Sequence, residues 1–377
     1  MDATFEYVFP SIRGVQAGRE FYVSMCPLHL IPKIFLFNEE EIVPELRAQR
    51  VLNKARIPEL ARYILDNPKS YIFSALTASI DGEVQFDALG GKGTADRIGS
   101  LRIPMSSRFL INDGQHRRAA IEVALRENPD LAHETIAVVF FLDVGLDRCQ
   151  QMFADLNRYS VRATRSIGIL YDHRDERGAL AKEVLDKTSA FRLVIEYERS
   201  TLSLRSRKLF TLSAIYTATN ALTMGVDRPR EELTTFAAEF WDTVWKQFPE
   251  WEHVRQRKMP AGEVRGEFIH SHGVALHALA RVGNALLKSD KKNWKQLLSR
   301  LNTLDWSRKN TRLWEGRAMV GGRVSKAGNS VFLTTAAIKM HVGLPLTAEE
   351  QRAETAMNAR GNTKDKGGKN GQQAAAE

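Results

Sequence analysis

Phe109-Leu110-Ile111-Asn112-Asp113-Gly114-Gln115-His116-Arg117-Arg118-Ala119-Ala120-Ile121 is the stretch on which the fold turns. Its β-rich start predicts a short strand over Arg108 to Asn112. Asp113-Gly114 then turns the chain, because glycine adopts backbone angles closed to other residues. A helix follows over Gln115 to Arg126, with Ala119, Ala120, Val123 and Ala124 on one face. His116 and Arg117 fall in its first turn, where the helix dipole disfavours cations. An anion such as phosphate, held by the free N–H groups of the helix start, is one way to favour them there. Asp113 is open to four roles: holding a metal ion, orienting Arg117, acting as a base, or capping the helix.

Working outward, the neighbours alternate strand and helix. Phe21 to Phe37 is expected to form short strand pieces broken at Pro27 and Pro32. Ile57, Leu60, Ala61, Ile64 and Leu65 follow helical spacing, with Pro58 in the first turn and Asn67-Pro68 at the end. Tyr71 to Ile80 reads as a strand turning at Asp81-Gly82, and Ile136 to Leu142 as a buried strand. Beyond Gly145 the stripes become helical: Cys149, Met152, Phe153 and Leu156; Leu212, Ile215, Tyr216 and Thr219; Leu233, Phe236, Ala237, Phe240, Trp241 and Val244; Trp294, Leu297, Leu298 and Leu301. The fold class is therefore α+β. An α/β domain is expected over 1–145, a mostly helical domain over 146–345 and a disordered tail over 346–377.

Composition narrows the function. The chain has 377 residues, 43% of them apolar and 26% charged, which suits a globular protein. No apolar run is long enough to span a bilayer, and the acidic start, Met1 to Glu6, carries no signal-peptide pattern, so a cytoplasmic protein is expected. Two cysteines, Cys26 and Cys149, exclude a disulfide framework and a four-cysteine zinc site. The net charge of +9 is localised. Between Arg281 and Ser330 twelve Lys and Arg face three acids, an excess equal to that of the whole chain. Such a field recruits polyanions by counterion release.

Three basic segments stand out as candidate DNA contacts. Arg205, Arg207 and Lys208 lie among hydroxyls near a helix start. Arg308, Lys309 and Arg312 are interleaved with Trp306 and Trp314, which serve either as stacking platforms or as core. Arg317, Arg323 and Lys326 flank Gly321-Gly322, the pattern of a tight hairpin with basic arms. Other patterns fail. Leu89-Gly90-Gly91-Lys92-Gly93-Thr94 lacks the P-loop spacing. His270, His272 and His277 lack a zinc-site pattern, so they read as packed side chains and no metal ligand is assigned.

The turn also carries a resemblance. Asp113-Gly114-Gln115-His116-Arg117 is similar to the signature of the DGQHR-domain proteins. Phe153-Ala154-Asp155-Leu156-Asn157-Arg158, with Ser166, resembles their second block, and Arg50, Asn53, Arg56, Glu59 and Tyr63 their first. The resemblance runs from about Phe5 to about Gly225 and looks most like the DndB family. It implies a ParB/sulfiredoxin-like N-terminal fold and a cytoplasmic transcriptional repressor of a DNA phosphorothioate-modification gene cluster, bound to double-stranded promoter DNA. It further implies a nucleoside triphosphate, with Mg2+, at Gly114, Gln115, His116, Arg117 and Asn157, modulating DNA binding. The alternative is a nucleotide hydrolase or phosphotransferase using Asp113, His116 and Glu59. A second alternative is a factor that assembles with the sulfur-modification enzymes. Operator symmetry leads us to expect a homo-oligomer.

Overall fold

The computed structural model describes residues 5–35, 54–142, 151–152, 155–156, 163–289 and 291–357. The chain divides into two compact units, 1–161 and 162–377.

The first unit is built on a seven-stranded mixed sheet. Its strands are β1 (Glu6–Gln16), β2 (Arg19–Pro27), β3 (Leu76–Asp81), β4 (Gln85–Ala88), β5 (Ile98–Pro104), β6 (Arg108–Asp113) and β7 (Thr135–Leu142). They lie in the order β4-β5-β1-β2-β7-β3-β6. Strand β3 runs parallel to β7 and antiparallel to β6. Period-two alternation separates the faces. Phe9, Tyr22, Ile103, Ile111, Val138 and Phe140 point into a core covered by α1 (Ile31–Ile34), α2 (Arg56–Asp66) and α3 (Gln115–Glu127). Val8, Ile12, Met25 and Ile98, on the other face, are exposed.

Three local expectations change. Residues 19–27 form one unbroken strand, and Pro32 sits in the first turn of α1, where it lacks no needed N–H. Strand β3 begins at Leu76 rather than Tyr71, since the Ser74 and Ala75 carbonyls bond to Arg117. Strand β1 was not foreseen. It forms a hairpin with β2 through Ala17 and Gly18, both at positive φ.

The second unit is helical: α4 (Arg165–Tyr171), α5 (Glu176–Lys187), α6 (Leu212–Thr223), α7 (Arg230–Trp245), α8 (Pro249–Arg255), α9 (Ala261–Glu267), α10 (Gly273–Lys288), α11 (Trp294–Ser299), α12 (Thr311–Trp314), α13 (Gly328–Val342) and α14 (348–357). Two short strand pairs join them: β8 (Ile195–Glu196) with β9 (Phe210–Thr211), and β10 (Met319–Val320) with β11 (Arg323–Val324). The amphipathic α10 packs on α6 and α13. An aromatic core gathers Phe191, Phe210, Trp241, Trp251, Trp306 and Trp314.

The expectation of disorder from residue 346 is corrected over 346–357. Thr347 and Glu350 form a reciprocal capping box: the Thr347 N–H donates to Glu350 at 2.8 Å and the Glu350 N–H to Thr347 Oγ1 at 3.2 Å. Glu350 and Glu354 of α14 are buried in ion pairs with Lys339 and Arg317. Low apolar content was misleading because this helix is held by charge pairs. Residues 358–377 lie outside the described residues.

Candidate functional site

Gly114 caps α3 at φ 106, and an added Cβ there would sit 2.4 Å from Leu76 Cδ2. Only glycine satisfies both the left-handed angle and that approach. The turn delivers Asp113, at the end of β6, against Arg117, one helical turn on. Arg117 Nη2 donates to Asp113 Oδ2 at 2.6 Å. Its Nη1 donates to the carbonyls of Ser74 at 2.7 Å and Ala75 at 2.8 Å, and to the Ser74 hydroxyl. Asp113 therefore orients Arg117, and Arg117 at the helix start is offset by this carboxylate and by carbonyls. An anion is not needed to explain it.

Arg118, the next residue, is buried and donates to the carbonyls of Phe35 and Pro32 and to Glu122, so it pins α1 to α3. His116 is held below the usual histidine range, first by burial and then by the Arg56 charge at the start of α2, with Asp113 opposing. Glu59 lies on α2 in an exposed position. Gln115 Nε2 reaches the Ile111 carbonyl at 3.4 Å. Asn157, with Arg50, Asn53, Phe153 and Arg158 of the flanking blocks, lies outside the described residues. Among the described residues no group of three His, Cys, Asp or Glu could hold a metal ion.

In the second unit, segments distant in sequence converge on α9. Arg265 of α9 is buried and donates to the carbonyls of Lys208 and, at 2.6 Å, Ser203, which fixes the 203–208 segment. Arg308 donates to the Gly266 carbonyl at 3.2 Å and the Gly322 carbonyl at 3.1 Å, tying α9 to the β10–β11 turn. The Arg308 N–H bonds to the Glu267 carbonyl at 2.8 Å, and Phe268 bridges Ser307. His272 Nε2 donates to the Arg265 carbonyl at 2.8 Å, because a carbonyl only accepts. His272 is pushed down to about 4, first by burial; the Arg308, Arg265 and Lys326 charges add to this, and the Arg265 carbonyl opposes it.

The sequence-predicted contacts thus fall into two sets. Arg205, Arg207, Lys309, Arg312, Arg323 and Lys326 are exposed on the converging segments. Lys208 is half-buried, its ammonium on the Leu193 carbonyl at 2.9 Å. Arg308 ties segments together. Arg317 is a correction: it is buried and doubly bonded to Glu354, so it cannot reach DNA. Trp306 and Trp314 stack on each other at 5.1 Å inside the core, which excludes them as base platforms. Gly321 and Gly322 take φ 59 and 74, the two-residue hairpin turn their spacing predicts, and the Glu315 carboxylate accepts both of their N–H groups. His270 is also core, accepting from Trp251 Nε1 at 2.9 Å.

Sequence reasoning missed Arg265, the hub. No local pattern marks it, since its partners lie some sixty positions away in Ser203 and Lys208. It also missed α14, which the Thr347-x-x-Glu350 spacing does signal.

A family model described as "DndB: DNA-sulfur modification-associated" matches residues 9–345, so it spans both units and stops just before α14. No curated protein and no solved structure matches. No helix among the described residues is long and apolar enough to cross a membrane.

Proposed function

The chain belongs to the DndB family of DNA-sulfur-modification-associated proteins, and from that premise we propose that it represses its own modification gene cluster by binding double-stranded promoter DNA. One observation carries the reading. Six exposed cations from three separate stretches, Arg205 and Arg207, Lys309 and Arg312, Arg323 and Lys326, are gathered around α9 by arginines that bond to carbonyls. A carbonyl anchors a guanidinium without cancelling its charge, so the hub adds to the field that a phosphate backbone meets. The chemistry is binding and steering. A two-half-site operator calls for a homodimer.

A second reading adds a nucleoside triphosphate at the start of α3. It is favoured by the Gly114 turn and by the Arg56 charge acting on His116. The N–H groups of the first turn and His116 would take its phosphates. Arg117 contributes less, being engaged with Asp113. Asp113 does not fit as a Mg2+ ligand for the same reason.

A gel shift with DNA from upstream of the protein's own gene, against scrambled DNA, tests the first reading. Binding to the upstream DNA is expected, falling steeply with salt. Repeating it with ATP or CTP tests the second. Absence of any shift, together with co-purification of the sulfur-modification enzymes, would favour an assembly role instead.

A further inference from the structure

The β10–β11 hairpin carries Arg323 and Lys326, and its base is held from below. Gly316 N–H bonds to the Met319 carbonyl at 2.8 Å, and Ser325 N–H to the Ala318 carbonyl at 2.9 Å. Between these points Arg317 leaves the hairpin and enters the interior. There it meets Glu354 of α14 through two parallel hydrogen bonds, the Nη2–Oε2 one at 2.8 Å. Both side chains are less than a tenth exposed. Met357, one turn further along α14, approaches the same turn: its Cε lies 3.1 Å from the place a Cβ would take on Gly316.

Helix α14 is also fixed one turn earlier on the same face. Glu350 receives two 2.8 Å bonds from Lys339 of α13, buried at 6% and 2% exposure, while closing the capping box with Thr347. Glu350 and Glu354 are four residues apart and share one helix face. The helix is thus a strut. One carboxylate fastens it to α13, and the next fastens the hairpin base to it. Two-residue hairpins are marginal alone, so the direction of the β10–β11 arm depends on what grips its base.

We propose that α14 is a positioning element for the DNA surface, with Glu354 acting through Arg317 to aim the hairpin's Arg323 and Lys326 at the polyanion. The inference rests on the DNA-binding reading above. A fork-to-fork arginine–carboxylate pair fixes orientation as well as distance, which a lysine or an apolar contact does not. Helix α14 lies beyond the region matched by the family model, whose last residue is 345, while its partners Arg317 and Lys339 lie within it.

The test replaces the pair together in the full-length protein, Arg317→Met with Glu354→Met. No charge is then orphaned, and buried pairs replaced in this way commonly leave the fold intact. Two readouts are taken. Without DNA, hydrogen exchange of the 318–326 amides should quicken while that of the α10 amides stays unchanged. With the upstream DNA, the log–log salt slope should fall by about two, about 0.9 for each hairpin cation lost. Adding Arg323→Ala and Lys326→Ala to the pair variant should cost nothing further, because the same contacts are already gone. Should the pair variant unfold, Glu354→Asp, which keeps the charge but shortens its reach, gives the same comparison. Unchanged hairpin exchange and an unchanged slope in a folded variant overturn the proposal. Quickened exchange in a protein whose wild type never binds DNA sustains the strut and sinks the DNA reading.

Discussion

The start of α3 and the hub around α9 both gather arginine, and they dispose of its charge in opposite ways. Arg117 is set against Asp113 at 2.6 Å, so the pair is close to neutral. Arg265 and Arg308 are set against backbone carbonyls, so their charge is anchored but kept. Arg317 follows the first pattern through Glu354. The difference teaches that a basic residue's position in sequence says little about its availability. What decides is whether its partner carries a full charge or a dipole. A carboxylate ends the long-range field, while a carbonyl only orients it.

The comparison breaks most severely if Arg265 is lost. Arg265→Met should leave the Lys208 and Ser203 carbonyls without their donor and release the 203–208 segment. The expected cost is about 3 kcal/mol, read as a lower denaturant midpoint, with DNA binding weakened as well. Wild-type stability in this variant would show that the convergence on α9 is incidental.

Acid should reach the hub with a similar effect. Burial, with the neighbouring cations, pushes folded His272 down to about 4, below its ordinary 6.5. The unfolded chain therefore takes up this proton first, so stability is full above about 6.5 and is lost as pH falls towards 4. The loss approaches about 3 kcal/mol. His272→Gln, whose amide can still donate to the Arg265 carbonyl, should flatten the decline between pH 7 and 4.5. His270 is also lowered by burial and works in the same direction.

Asp113→Asn sharpens the contrast from the other side. It should cost about 1 kcal/mol, since the carboxylate is nearly half exposed at 45%. It should leave the DNA salt slope unchanged and make the start of α3 more attractive to phosphate, measured by calorimetric titration with ATP. A changed DNA slope would mean that the two regions are not separable. The smallest effects on stability belong to Lys309→Ala, Arg312→Ala, Arg323→Ala and Lys326→Ala. Each should alter stability by under about 0.5 kcal/mol and lower the salt slope by about 0.9.

Much of the local structure was readable along the chain. Ile57 to Leu65 show helical spacing, with Pro58 in the first turn and Asn67-Pro68 at the end, and they fall in α2. The Asp113-Gly114 turn and the Gly321-Gly322 hairpin were legible because each depends on backbone angles that few residues reach. Strand β1 was not. Pro10 argues against a central strand, yet β1 pairs on both sides, with β2 and β5. The tail was misjudged because α14 is fastened by two buried ion pairs, and apolar content cannot register them.

By itself, then, the sequence determined the elements whose causes lie within a few residues: the strand–turn–helix at Asp113, the amphipathic helices, the hairpin turn and the surplus of cations between Arg281 and Ser330. It also carried the family resemblance. Tertiary structure alone decided which cations face outward. Arg308 and Arg312 are four residues apart, yet one ties α9 to the hairpin and the other is exposed. Arg317 and Arg323 both flank the same turn, yet one is buried on Glu354. The partners that make these distinctions, Gly266, Gly322 and Glu354, lie between 14 and 42 residues away along the chain. A charge's field depends on the groups beside it in space, and only folding brings those groups together.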